Sequence, residues 1–301
     1  MMRITQRAVT LNGLQGLNSN LAALNKLQNQ LTSGTTISKP SDSPTGTNTS
    51  LITRKAIAGA DQYSRNITDG TTFLDATDSA LQDMLSQVRR VRDLTVQALN
   101  GGSANDETRL AISTEVSGIR ESMLGQANQV VQGRPIFGGV TSGNKAYNDD
   151  GSYAGLGGAN GIDVQPLTRR VSDVETIRVD LTGAEAFGDP ASGKDLFSVV
   201  KNIAANVDDP TALAGDLADL DQVYNGLLGA AADVGTRATR METAASVNTS
   251  QSLNLETQRA ATEDVDLPKT IMEMQMQQTS YQAALQVTAQ MLQPTLLDFL
   301  R

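Results

Sequence analysis

The chain has 301 residues, 33 of them acidic and 24 basic, giving a formal charge of −9 and a pI near 4.6. That balance lacks the basic field a phosphate backbone requires, which sets nucleic acid aside. Cys, His and Trp are absent, so disulfides, thiolate nucleophiles, Cys/His zinc sites and histidine bases are excluded. Aromatic residues make up only 3% against 39% hydrophobic. Such a core is mostly aliphatic, which suits long helices sharing narrow seams. No run of 18 apolar residues occurs, so no membrane span is expected. The N-terminus lacks an apolar stretch with a cleavage site, so no secretory signal peptide is expected.

The first predicted element is a helix whose Leu14, Leu17, Leu21, Leu24, Gln28 and Leu31 follow 3-4 spacing, a one-sided stripe for a partner helix. Ninety residues without proline then separate Pro44 from Pro135, enough for a very long helix. Within them the series Ala60, Tyr63, Ile67, Gly70, Leu74, Thr77, Leu81, Met84, Val88, Val91, Thr95 and Ala98 keeps the heptad rhythm. Gly70 and Thr77 are expected to weaken that seam. A shorter helix follows Asn105-Asp106, with Leu110, Val116, Ile119, Met123 and Val130 expected on its inner face. Nine of the 26 glycines fall within 133–161, a loop-like stretch. Beyond it, Ile177, Val179 and Leu181 alternate with Thr176, Arg178 and Asp180, predicting a half-buried strand turned by Thr182-Gly183. A helix is predicted from about Asp195 to the stop at Asp208-Asp209-Pro210. A second proline-free stretch of 57 residues reaches Pro268, and Ile271, Met274, Gln278, Tyr281, Leu285, Thr288 and Leu292 repeat the heptad spacing.

The expected fold is mainly α: a long antiparallel helical bundle or coiled coil formed by the N- and C-terminal regions, with a small mixed α/β or β-rich inserted domain. Three regions are expected. Residues 1–40 plus 265–301 form a terminal polymerisation region, 41–132 plus 211–264 a long-helix core, and 133–210 an inserted outer domain. An isolated amphipathic helix of such length is marginal in water. The two terminal seams therefore suit burial against other subunits. Leu14, Leu17, Leu21, Leu24, Leu31, Ile271, Met274, Tyr281, Leu285 and Leu292 are the candidate assembly interface.

No constellation rises to an active site. Gly155, Gly157, Gly158 and Gly161 only approximate a dinucleotide fingerprint, because Asn160 takes the place of its last glycine. Gly193-Lys194 is followed by Asp195 where a P-loop needs Ser or Thr. The Asn148–Gly151 run lacks carboxylates at the calcium-loop positions, held here by Ala146 and Gly157. Arg89, Arg90 and Arg92 read as a solvated face or as partners of neighbouring acids. The pairs Glu115/Glu121 and Glu263/Asp264 read as wet helix faces, and Met272, Met274, Met276 and Met291 as adaptable packing. No catalytic residue, metal or cofactor is expected.

Several separated motifs then resemble one family. Asn66-Ile-Thr-Asp-Gly70, Ala80-Leu81, and Gln87 through Ala98 are similar to the N-terminal helical region of bacterial flagellins, and Leu31–Asp42 resembles the loop after its first helix. Gln132-Gly-Arg-Pro-Ile-Phe-Gly-Gly139 resembles the NGRYLFGG type of motif in the FlgL-type hook-associated family. Pro135 stands in it where an aromatic is usual. Val179–Gly183, Ala186–Gly188, Asp195–Phe197, Gln277–Thr279 and Leu296–Leu300 extend that likeness, while the trailing Arg301 is more flagellin-like. The resemblance implies a hook–filament junction ring contacting flagellin, the hook-associated protein FlgK and further copies of itself. It also implies type III export through the export gate without a cleaved signal, an extracellular flagellar location, and an export chaperone of the FlgN type. A short flagellin is the sister reading. A carboxylate-dependent hydrolase and a cytoplasmic coiled-coil signalling rod are readings from other classes with less in their favour.

Overall fold

The computed structural model describes residues 6–100, 106–140, 143–155 and 165–292. These form two compact units, one made of residues 1–59 with 252–301 and the other of the continuous stretch 60–251. Helices α2 (Pro44–Asn100) and α6 (Pro210–Glu263) contribute to both. Each opens on a proline, which is tolerated there because the first helical position has no intrahelical N–H bond to lose. Asp209 caps α6 by accepting the N–H groups of Thr211 and Ala212 at 2.9 and 3.2 Å.

In the 60–251 unit the predicted α2 seam is the core. Every member of the series from Ala60 to Ala98 is buried except Tyr63, which is half-buried. Its counterpart lies on α6, where Leu213, Leu220, Leu227, Val234 and Met241 recur every seven residues and are all buried. The pairs Arg92–Asp221, Arg89–Tyr224 and Ala60–Asn248 show that the two helices run antiparallel. Gly70 does not weaken the seam. A Cβ there would meet Met241 Cε at 2.5 Å and Val179 Cγ1 at 3.2 Å, so the missing side chain admits both. Helix α3 (Asp106–Ala127) buries Ile112, Val116, Met123, Leu124 and Ala127. Leu110 is exposed, because the α3 stripe runs through Ile112. Val130 is also exposed and belongs to strand β1, so neither lies on the predicted inner face.

Strands β1 (Val130–Val131) and β2 (Arg134–Pro135) form a tight antiparallel hairpin. Its two turn residues, Gln132 and Gly133, both have positive φ, at 52° and 79°, the requirement of a type I′ turn. Strands β3 (Thr168–Arg170) and β4 (Thr176–Arg178) pair antiparallel in the register Arg169↔Ile177. Ile177, Val179 and Leu181 are buried as their alternation predicts. Asp180 departs from it: it is buried, accepting Arg178 Nε at 2.8 Å and the Leu167 N–H at 3.1 Å. Thr182-Gly183 is not a turn but the start of α4 (Gly183–Phe187), through a reciprocal capping box between Thr182 and Glu185. After a 3-10 turn (Pro190–Ser192), Asp195 caps α5 (Leu196–Ala205) through the N–H groups of Phe197 and Ser198.

Five of the ten aromatic residues collect in this insertion. Phe137, Tyr147, Tyr153, Phe187 and Phe197 pack with centroid separations of 4.7 to 5.9 Å. This cluster fastens two motifs together: Gly183 N–H donates to the Phe137 carbonyl at 2.9 Å, and Gly138 bridges Thr182. Gly183 must be glycine, since a Cβ there would fall 2.3 Å from Tyr147 Oη. Burial pushes the Tyr147 hydroxyl well above its usual range and that of Tyr153 up to about 12.

The other unit pairs α1 (Gln6–Ser33) with α7 (Leu267–Leu292). Gln277 Nε2 donates to Asn20 Oδ1 at 3.1 Å, and a Cβ at Gly13 would sit 3.7 Å from Thr288. These contacts make the pair antiparallel. Gly34, at φ +70°, ends α1.

Candidate assembly interface

The terminal seams split into two rows, and the α1–α7 pair covers only one of them. Leu17, Leu24 and Leu31 on α1, and Met274, Tyr281 and Thr288 on α7, are half-buried. The inner face is completed by Gly13, Asn20 and Leu27 with Thr270, Gln277 and Ala284, not by the remaining predicted positions. Those remaining positions face outward: Leu14, Leu21, Ile271 and Leu285 are 41 to 48% exposed, and Gln28 and Gln278 are exposed as well. The Leu292 side chain and the Leu296–Leu300 motif lie outside the described residues.

The inner face is poor in packing. Gly, Asn, Thr, Gln and Ala occupy half of it, and Asn20–Gln277 places a polar pair where a coiled coil prefers leucine, fixing register at a cost in stability. The outer row is mainly apolar, interrupted by Gln28 and Gln278; on α7 exposed Leu267 extends it, whereas exposed Met272, Met276 and Val287 lie roughly 100–160° round the helix from Ile271. Exposed apolar side chains along both paired helices make this pair the candidate interaction face.

Below the seam, three chain segments are knotted together by one carboxylate that the sequence pattern places on a wet face. Glu263, at the end of α6, is 4% exposed and accepts from Ser50 Oγ and from Arg54 Nε and Nη2, the latter two at 2.7 and 2.6 Å. Its carbonyl accepts the Thr36 N–H at 2.6 Å, Val265 N–H donates to the Gly34 carbonyl at 3.1 Å, and Thr35 bridges Asp264. The Arg54 hydrogen bonds foremost, with Ser50 and against the cost of burial, hold the Glu263 carboxyl at about 2. The neighbouring loop is tied by Asp42, which accepts from Ser38 Oγ and from the N–H groups of Ser38 and Lys39.

The remaining candidates resolve into structure. Arg90 pairs with Glu115 of α3 and Arg92 with Asp221 of α6, while Arg89 reaches Tyr224. Asn148–Gly151 is a turn closed by the Tyr147↔Tyr153 bridge. Among the described residues, no three acidic side chains are placed to hold a metal ion, and no helix is long and apolar enough to cross a membrane. Gly157, Gly158, Asn160 and Gly161 lie outside the described residues.

These features define a helical assembly subunit whose two termini pair and still present an apolar row. Known proteins agree with that class. Residues 4–141 match the bacterial flagellin N-terminal helical region and residues 217–300 the bacterial flagellin C-terminal helical region. Flagellar hook-associated protein 3 of Salmonella typhimurium is 25% identical, over 94% of this chain and 95% of its own. The flagellin of Bacillus subtilis is 28% identical over 96% of each. The crystal structure of Bacillus cereus FlgL superposes with a TM-score of 0.59 at 26% identity, covering 69% of this chain and 99% of that one. The chain belongs to the bacterial flagellin superfamily, in its FlgL-type hook-associated branch.

Proposed function

We propose that the protein is a structural adaptor of the bacterial flagellum, joining the hook, through the preceding hook-associated protein FlgK, to the flagellin filament. The observation that carries this reading is the outward apolar row on α1 and α7, in a chain matched nearly end to end by a hook-associated protein. The junction needs a non-catalytic subunit that packs against copies of itself within a ring, the preceding hook-associated protein below and flagellin above. The outer row, Leu14, Leu21, Ile271 and Leu285, supplies that packing, and Leu17, Leu24, Leu31, Met274, Tyr281 and Leu292 complete the seam around it. On this reading residues 1–40 and 265–301 polymerise, 41–132 with 211–264 form the supporting helices, and 133–210 forms the outer domain. The subunit travels unfolded through the type III export gate without a cleaved signal, escorted by a chaperone of the FlgN type, and acts outside the cell.

The sister reading, a short flagellin, is supported by the B. subtilis relative. Against it stands the contact of Phe137-Gly138 with Thr182-Gly183, which joins two motifs resembling the hook-associated family in one place. Quantifying the protein in sheared flagella separates the two. A few copies per filament mark a junction subunit, whereas thousands mark a filament subunit and overturn the proposal.

A further inference from the structure

Two buried polar atoms in the aromatic insertion have no hydrogen-bond partner among the described residues: the Tyr147 hydroxyl and Asp195 Oδ1. Tyr147 is fully buried and Asp195 is 1% exposed. Leaving such groups unpaired is costly, and folded proteins pair nearly all of them.

Both side chains are held in place by other bonds. Asn128 grips the Tyr147 backbone, donating to its carbonyl at 2.9 Å and accepting its N–H at 2.8 Å. The Tyr147 ring is enclosed by Tyr153, Phe187 and Phe197. Asp195 commits its other oxygen, Oδ2, to the N–H groups of Phe197 and Ser198 at 3.2 and 3.3 Å. Phe197 therefore brings the two together: its N–H holds the carboxylate, and its ring packs on Tyr147 with centroids 4.7 Å apart. The polar groups beside the hydroxyl are already committed. A Cβ at Gly183 would fall 2.3 Å from Tyr147 Oη, yet the Gly183 N–H donates to the Phe137 carbonyl, which also accepts the Tyr153 hydroxyl at 3.0 Å.

The two unpaired atoms are complementary. A phenol hydroxyl can donate, whereas an ionised carboxylate oxygen only accepts. Burial foremost, then Tyr153 and the Asp195 charge, keeps the Tyr147 hydroxyl protonated, so the donor is present at neutral pH. The two atoms do not bond each other directly.

We infer that the Tyr147 hydroxyl and Asp195 Oδ1 share one internal water, the hydroxyl donating to it and the water donating to the carboxylate. Internal waters occupy such places, where they satisfy buried groups that the chain leaves over. This one pins the aromatic cluster to the start of α5, in an insertion whose paired strands are only two or three residues long. The water site does not depend on where in the flagellum the chain assembles.

Removing the hydroxyl tests it, because a bridged group and an unpaired one respond with opposite sign. Tyr147→Phe in the full chain should lower the thermal midpoint by about 4 °C, whereas loss of an unpaired hydroxyl leaves the midpoint unchanged or raises it. Asp195→Ser keeps a capping oxygen but removes Oδ1. In that background Tyr147→Phe should shift the midpoint by about half as much or less. A Tyr147→Phe midpoint at or above wild type overturns the inference, as does a full shift retained beside Asp195→Ser. A crystal structure of the wild-type full chain, resolved well enough to show ordered water, keeps the test open should Asp195→Ser fail to fold. Water within hydrogen-bond reach of both oxygens supports the bridge; a direct Tyr147–Asp195 bond or a dry site overturns it.

Discussion

Replacing Glu263 with Gln removes the charge from the knot that joins the end of α1, the start of α2 and the end of α6. A carboxyl held at about 2 instead of 4.5 corresponds to roughly 3 kcal/mol at full strength. The Arg54 side chain is 59% exposed, so solvent screens its half of the interaction and about 1–2 kcal/mol is the expected loss at neutral pH. The sign follows from a depressed carboxyl: the stabilisation is complete above pH 4.5 and is lost as pH falls from there towards 2. Urea unfolding of wild type and Glu263→Gln, followed by far-UV circular dichroism from pH 7 down to 2, measures both quantities. The variant should be less stable at pH 7, and the gap should close across the acid window. A gap that stays constant from pH 7 to 2, or no gap at pH 7, refutes the charge-assisted knot.

Leu285→Asp should abolish incorporation into the flagellum while leaving the 60–251 unit folded. On the proposed assembly a charge in the outer row would be buried unpaired at every subunit contact, at a cost of about 3 kcal/mol or more each; normal filaments from that variant would refute the assigned row. Gly183→Ala should destabilise the 60–251 unit by about 1–3 kcal/mol, because its Cβ collides with the Tyr147 and Tyr153 rings. Thermal melts of the purified chain check this. Limited proteolysis of dilute monomer should trim residues 1–40 and 265–301 first, since the inner α1–α7 face is too polar to hold isolated helices; termini that resist cleavage in a sedimenting monomer would contradict it.

The helix positions were legible wherever burial repeats every seven residues over a long stretch. The α2 seam is such a case; the α6 seam from Leu213 to Met241 keeps the same spacing but was not read, because intervening Ala and Gly dilute its contrast. The terminal stripes were half legible. Leucine spacing reveals which residues are apolar, but not that Gly13, Asn20, Gln277 and Ala284 take the inner positions and turn Leu14, Leu21, Ile271 and Leu285 outward. Thr182-Gly183 carried a visible Thr-x-x-Glu capping signature that its glycine obscured. Asp180 and Glu263 were not legible, because what buries them is a partner elsewhere in the fold: Ser50 and Arg54 stand 213 and 209 residues from Glu263.

The two units differ in how the chain threads them, and this sets an order of events. The 60–251 unit is one uninterrupted stretch whose ends meet where Asn248 Nδ2 donates to the Ala60 carbonyl at 3.0 Å. The other unit needs α1 and α7, which enter the sequence more than 230 residues apart. Closing so long a loop in an unfolded chain is slow and entropically costly. Once the continuous unit has folded, its joined ends shorten that loop to the two terminal arms. A chain emerging N-terminus first therefore finishes its middle before α1 has any partner, and the last helix to appear completes the pair.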